Sequence, residues 1–215
     1  MKTYYISAGA IFGTLAVVVR ILGIKFPFPP IPYLTFEFAE IPIVLGFLLY
    51  GPIVGIVSVF SYWLILNVVG SFVPIGPAMA LAASLSTICG IWLGVKAAGK
   101  FTGSKDLIIF FGFAIGSILR VAVMNLFNYI ILCILIPSFF DMASKSLSLF
   151  LGISFSNQVD ALLLIFVFTA IFNVLQTAII FAPSVPVVRV IESRVGVSLK
   201  AGSWLTNTIE KHKGH

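Results

Sequence analysis

The feature that most constrains this chain is a series of apolar runs, each about 20 residues long and nearly free of charge, which is the length that crosses a bilayer as a helix. Within hydrocarbon every backbone N–H and C=O must be paired inside the protein, so only helices or a closed barrel can span. A barrel is written in alternating segments of about 10 residues. These runs are continuous instead, and the fold class they predict is an all-α integral membrane protein. Composition agrees: 60% of the residues are hydrophobic, 9% are charged, and the mean hydropathy is +1.16.

Proline, glycine and polar breaks divide the chain into six predicted helices, at about 4–24, 39–50, 53–70, 78–95, 107–136 and 159–182. The dense prolines of Phe26–Pro32 exclude helix between the first two. Residues 137–157 are predicted as a loop, and Pro183 and Pro186 as the end of the sixth helix, leaving 183–215 as a basic tail. No internal repeat or second unit is visible, so 1–215 is predicted to be a single membrane domain. The first run follows Lys2 as a signal peptide would, but it is long enough to span and precedes no polar mature domain; it is expected to be retained.

Charge predicts the orientation. With both termini cytoplasmic, the inside holds Lys2, Lys96, Lys100, Lys105, Arg189, Arg194, Lys200, Lys211 and Lys213, and the outside holds Lys25 and Lys145. This nine-to-two bias requires an even number of spans. The net charge of +6 carries no basic stripe interleaved with aromatics, so nucleic acid is not an expected partner; the lipid bilayer is. Cys89 and Cys133 lie in apolar runs and read as small core residues. His212 and His215 fall in the polar tail, and no metal-ligand spacing is present. Gly94–Phe101 imitates a phosphate-binding loop, but Phe101 stands where the magnesium-binding Ser or Thr belongs. The chain is therefore expected to have no ATPase of its own.

Polar residues inside spans are costly and mark sites or pathways. Arg120 falls mid-helix, as a ligand anchor or helix clamp on one reading and as a partner of backbone carbonyls or another subunit on the other. Arg20 sits where it can snorkel, and Glu37 and Glu40 where carboxylates suit a helix N-terminus. Asn125 and Asn128 stand at i,i+3 with Tyr129 next to them, and Asn173 and Gln176 repeat the spacing on the sixth helix. Uncharged amides offer both donors and acceptors, which suits the edge of a heteroaromatic ring; interhelical amide bonding is the alternative. Gly9 and Gly13 form a small-residue face, available either to the bundle or to a partner.

Several segments resemble the substrate-binding S components of energy-coupling factor (ECF) vitamin transporters, most closely the riboflavin-specific type. They are Tyr33–Pro42, Tyr50-Gly-Pro-Ile-Val-Gly55, Asn128-Tyr129 and Phe172-Asn-Val-Leu-Gln176. The resemblance implies a non-enzymatic subunit that captures a vitamin, with no cofactor. Its partners would be a transmembrane coupling subunit and two cytoplasmic ATPase subunits in a prokaryotic cell membrane. It implies that Asn128 and Asn173 bind the ring edge and that Leu34 lines or covers the pocket; Gln176, Asn125, Tyr129 and Arg120 are the further substrate-binding candidates that their own spacing and placement suggest. It also implies that Ala8, Gly9, Gly13 and Ala16 dock the coupling subunit. Two positions depart from the family pattern: Gln176 replaces a lysine, and Gly76-Pro77-Ala78 stands where an acid precedes the fourth helix. Another vitamin such as pantothenate or a thiamine precursor, a membrane enzyme for lipid-like substrates, and an assembly or signalling protein remain as alternatives.

Overall fold

The computed structural model describes residues 2–195 and 202–211; Met1, Lys200, His212, Lys213 and His215 lie outside the described residues. Its elements are α1 (Lys2–Ile21), a hairpin of β1 (Lys25–Phe28) and β2 (Ile31–Glu37), α2 (Ile41–Tyr50), α3 (Pro52–Val69), α4 (Ile75–Gly99), α5 (Lys105–Tyr129), a π-helical turn (Ile130–Leu135), α6 (Pro137–Leu151), α7 (Gln158–Val195) and α8 (Trp204–Lys211). Five helical stretches are long and apolar enough to span: those of α1, α3, α4, α5 with its π turn, and α7. The predicted second helix forms, but its 10 residues rise only about 15 Å, half the hydrocarbon thickness. Five of the six predicted spans are thus long enough to cross alone, and α2 is the short one, running from the hairpin to Gly51, which packs against Trp204 of α8.

The helices approach closely where glycines remove the side chain between them. A Cβ on Gly90 of α4 would lie 2.6 Å from the Cα of Gly116 on α5, so those two backbones meet directly. On α1, a Cβ at Gly13 would lie 2.6 Å from the Ser58 carbonyl of α3, and one at Gly9 would lie 2.5 Å from Val57. Gly9, Gly13 and Ala16 are buried against the chain's own α3, and Ala8 is half-buried beside them. The small-residue face therefore belongs to the bundle. Within this chain, the close approach that small residues permit is made to α3.

Three further segments depart from the sequence reading. The proline-rich stretch is a two-stranded antiparallel hairpin, with Lys25 opposite Glu37 and Phe26 opposite Phe36. Its prolines exclude helix but are tolerated in so small a sheet, where every strand is an edge. Residues 137–151 form α6 rather than a loop; its Ala143 and Leu147, one turn apart, are buried, and Gly152 ends it with φ +67°. Pro183 and Pro186 lie inside α7, which continues to Val195. The helix survives because Ile180, Phe181, Val185 and Val188 all pack into the main core, and burial there outweighs two lost backbone bonds.

The apolar interior has two parts. The larger joins α1–α5, the second half of α7, and α8. The smaller lies beneath the hairpin and gathers Phe28, Ile31, Leu34, Leu132, Leu147, Ile165 and Phe172. The start of α7 and the end of α5 thus share the hairpin end of the molecule, while the end of α7 shares the opposite end with α8. In consequence α5 and α7 run antiparallel.

Candidate functional site

The site is built where α5 and α7 face each other below the hairpin. Arg120, on the buried face of α5, is 4% exposed and makes four hydrogen bonds. Its Nη1 and Nη2 donate to the two oxygens of Glu40 at 2.7 and 2.9 Å. Nη1 also donates to Thr87 Oγ1 at 3.0 Å, and Nε donates to Asn173 Oδ1 at 3.1 Å. One planar guanidinium thus ties α5 to α2, α4 and α7, using the fork geometry that only arginine offers. Of the two readings open for Arg120, this is the helix clamp.

The second arginine works in the same way. Arg20 Nη1 donates to Glu37 Oε2 at 2.7 Å and to the Tyr62 hydroxyl at 3.0 Å, linking α1, β2 and α3. Arg20 therefore does not merely snorkel. Glu40 stands at the N-cap of α2 but makes no side-chain cap bond, and both acids are ion-pair partners instead of caps. A buried carboxylate gains far more from a facing guanidinium than from a helix end.

Gln176 closes this lattice. Its Oε1 accepts from the Glu37 backbone N–H at 3.2 Å, and its Nε2 donates to the Glu37 carbonyl at 2.7 Å. The primary amide pairs with the strand end as another strand's peptide group would. Both of its ends are engaged, so Gln176 acts as a clasp holding β2 to α7. Asn173 is partly engaged as well: Nδ2 donates to the Thr169 carbonyl at 2.9 Å and Oδ1 accepts from Arg120. One N–H and one lone pair of Asn173 remain for another partner.

Nearer the hairpin the pattern changes. Asn128 is 3% exposed, and its amide makes no hydrogen bond among the described residues. The buried Asn125 Oδ1 and Thr169 Oγ1 have no partner either, and the Tyr33 hydroxyl above them is likewise unpaired. By helical rise, Asn128 lies about 12 Å from Arg120 along α5, and Thr169 about 6 Å from Asn173 along α7. The two helices are antiparallel, so these displacements point the same way. Aromatic rings stand beside these groups: Phe36 and Phe172 have centroids 4.9 Å apart, and Phe28 lies 5.6 Å from Phe172. Leu34 is buried in the same cluster. Such a place offers flat apolar surface together with amide and hydroxyl groups still free to bond.

Tyr129 lies on a different face of α5. It is 45% exposed, because the next residue along a helix points about 100° away from Asn128. The clamp was open to sequence reading but its partners were not, and the clasp was missed, since each joins residues far apart in the chain. Four polar residues of matching capacity, two Arg and two Glu, were the available signal.

The chain matches the family model described as ECF transporter, substrate-specific component, over residues 6–189. It is 30% identical over 121 residues to the riboflavin transporter RibU of Staphylococcus aureus (strain TCH60), a match covering 56% of this chain and 61% of that protein. The chain thus spans about three-fifths of the length of the relative it matches. A solved structure described as the S component of a bacterial ECF transporter shares the fold, with a TM-score of 0.66 at 20% identity. It covers 91% of this chain and 99% of its own. The length and apolarity of the spans, the bundle they form and the family match over most of the chain lead to one conclusion: this is a multi-pass membrane protein of the ECF transporter family, belonging to its substrate-specific (S) components.

Proposed function

We propose that this S component captures riboflavin or a closely related flavin, in the seam between α5 and α7 beneath the hairpin. The observation that carries the reading is the pair of buried, unpartnered atoms Asn125 Oδ1 and Thr169 Oγ1, with Asn128, 3% exposed, one turn along the same face of α5 as Asn125. A flavin ring edge alternates N–H and C=O groups and would pair with them, while Phe36, Phe172 and Leu34 would cover its faces. The spare N–H and lone pair of Asn173 would complete the edge. Similarity to a riboflavin transporter supports the choice of flavin. Buried Arg120 and part-buried Arg20 already face carboxylates, which favours an uncharged ring over an anionic vitamin such as pantothenate.

In this reading no cofactor is needed, and a bound flavin is substrate. Lys96, Lys100, Lys105 and the end of the chain face the cytoplasm, and the hairpin faces outward. Transport is driven by a transmembrane coupling subunit and two ATPase subunits. The α1 face left exposed by α3 carries Ser7, Ile11, Thr14 and Val18, and it is the part of α1 available to such a partner. The absorption spectrum of the protein purified without added ligand tests the substrate. A retained flavin gives a yellow protein, whereas a colourless protein that binds a different vitamin from a panel overturns the assignment.

A further inference from the structure

The end of the bundle opposite the hairpin carries a cavity of about 630 Å³ that the proposed substrate site does not use. It lies between the last turns of α4 and one face of α8. Lys96 and Lys100 reach it from α4, and Lys211, Asn207 and Thr208 from α8. The position of α8 is fixed by packing: Leu205 and Ile209 are buried, and the Trp204 ring lies 4.8 Å from that of Phe47. Glu192 of α7 holds its first turn, accepting from the Ser203 N–H at 2.7 Å and the Thr206 hydroxyl at 3.0 Å. The polar face of α8 is thereby presented to α4.

The charge around this cavity has one sign. Among the described residues no carboxylate pairs with Lys96, Lys100 or Lys211, and no acidic side chain lines the space. Lys96 is held with Nζ 4.4 Å from the centre of the Trp92 ring. Each lysine suits the C-terminal end of its own helix. That preference does not require two helix ends to converge on one cavity, nor does it bring Asn207 and Thr208 there. Three cations and two hydrogen-bonding side chains suit the oxygens of a phosphate. Leu93 and Ala97, both exposed, adjoin the lysines on the same cavity wall. A ligand that satisfies all of these joins an anionic head to an apolar stem.

We propose that the α4–α8 cavity binds an anionic glycerophospholipid of the leaflet at this end of the bundle. Lys96, Lys100 and Lys211 hold its phosphate, and Leu93 and Ala97 lie along the start of its chains. The site would make retention of the protein's lipid neighbours depend on headgroup charge.

The test titrates the full chain, purified in detergent, with phosphatidylglycerol and phosphatidylcholine of identical acyl chains, and counts bound lipid by native mass spectrometry. Phosphatidylglycerol is expected to be retained preferentially. Lys96→Gln, Lys100→Gln and Lys211→Gln should each weaken that retention roughly fivefold, the size expected for one lysine near an anionic headgroup. Lys→Arg at the same positions should preserve it, and Lys145→Gln, far from the cavity, should leave it unchanged. Equal retention of the two lipids by the wild type, or a preference untouched by the lysine variants, overturns the proposal. So does lysine-dependent binding of inorganic phosphate that displaces the lipid at millimolar concentration, because the ligand is then a soluble phosphate.

Discussion

At the level of Arg120 the charges and amides between α5 and α7 are paired, though the Ser117 hydroxyl one turn away is not, whereas toward the hairpin Asn125, Asn128 and Thr169 are without partners among the described residues. The same two helices therefore carry both patterns within about 12 Å. In the paired region each charge meets an opposite charge and each amide meets a backbone or a guanidinium. That arrangement specifies which helices meet and in what register. In the unpaired region Asn125 Oδ1 and Thr169 Oγ1 have lost water and gained nothing in return, a cost of about 1–3 kcal/mol each that a ligand can recover. The difference separates residues that hold the bundle from residues that wait for a partner, even where the side chains are of one type.

The contrast can be broken most forcefully at the clamp. Arg120→Ala leaves Glu40 buried without a counter-charge, and unfolding in detergent should show a loss of about 3–5 kcal/mol. Replacing both partners, with Arg120→Met and Glu40→Leu, should recover most of that loss, because the desolvation cost disappears with the charges. If the single variant is as stable as the wild type, the lattice does not hold the bundle.

Gly13→Ala comes next. Its Cβ would meet the Ser58 carbonyl at 2.6 Å and push α3, which carries Tyr62 and through it Arg20. Overpacking of this kind should cost about 1–3 kcal/mol in thermal unfolding. A variant of unchanged stability that fails to join the coupling subunit would return this face to the docking role.

Gln176→Ala removes two bonds to the Glu37 backbone, worth about 1–2 kcal/mol together. The loss should appear chiefly as a looser hairpin, read as faster thiol labelling of a cysteine placed at Thr35. Gln176→Lys keeps one donor for the Glu37 carbonyl but loses the acceptor, so its labelling should be intermediate. Smallest of all, Tyr129→Ala should change ligand affinity by no more than about 0.5 kcal/mol, since the ring faces away from the seam. A large loss there would move the site boundary outward.

The bundle was legible because hydropathy along the chain reports spans directly, and the residues from Lys105 to Tyr129 show this in one uninterrupted run. The amide positions were legible too, since i,i+3 spacing places Asn125 with Asn128 and Asn173 with Gln176 on shared helix faces. What those amides do was not. Spacing along one helix says nothing about Glu37, which lies 139 residues from Gln176 and meets it only through the fold. The hairpin was hidden for a local reason: proline density excludes helix but does not distinguish coil from a short two-stranded ribbon. The prolines of α7 misled in the opposite direction, because tertiary burial of Ile180, Phe181 and Val185 overrides a local break.

The most direct test compares Asn128→Ala with the wild type in two readouts, unfolding without ligand and affinity for riboflavin. In the ligand-free protein the substitution removes a buried amide that has no partner, so stability should be unchanged or slightly higher. Affinity should fall roughly 5- to 150-fold, the loss of one or more bonds to a desolvated ring edge. A protein that is destabilised as Arg120→Ala is, yet binds riboflavin as tightly as the wild type, would contradict the account.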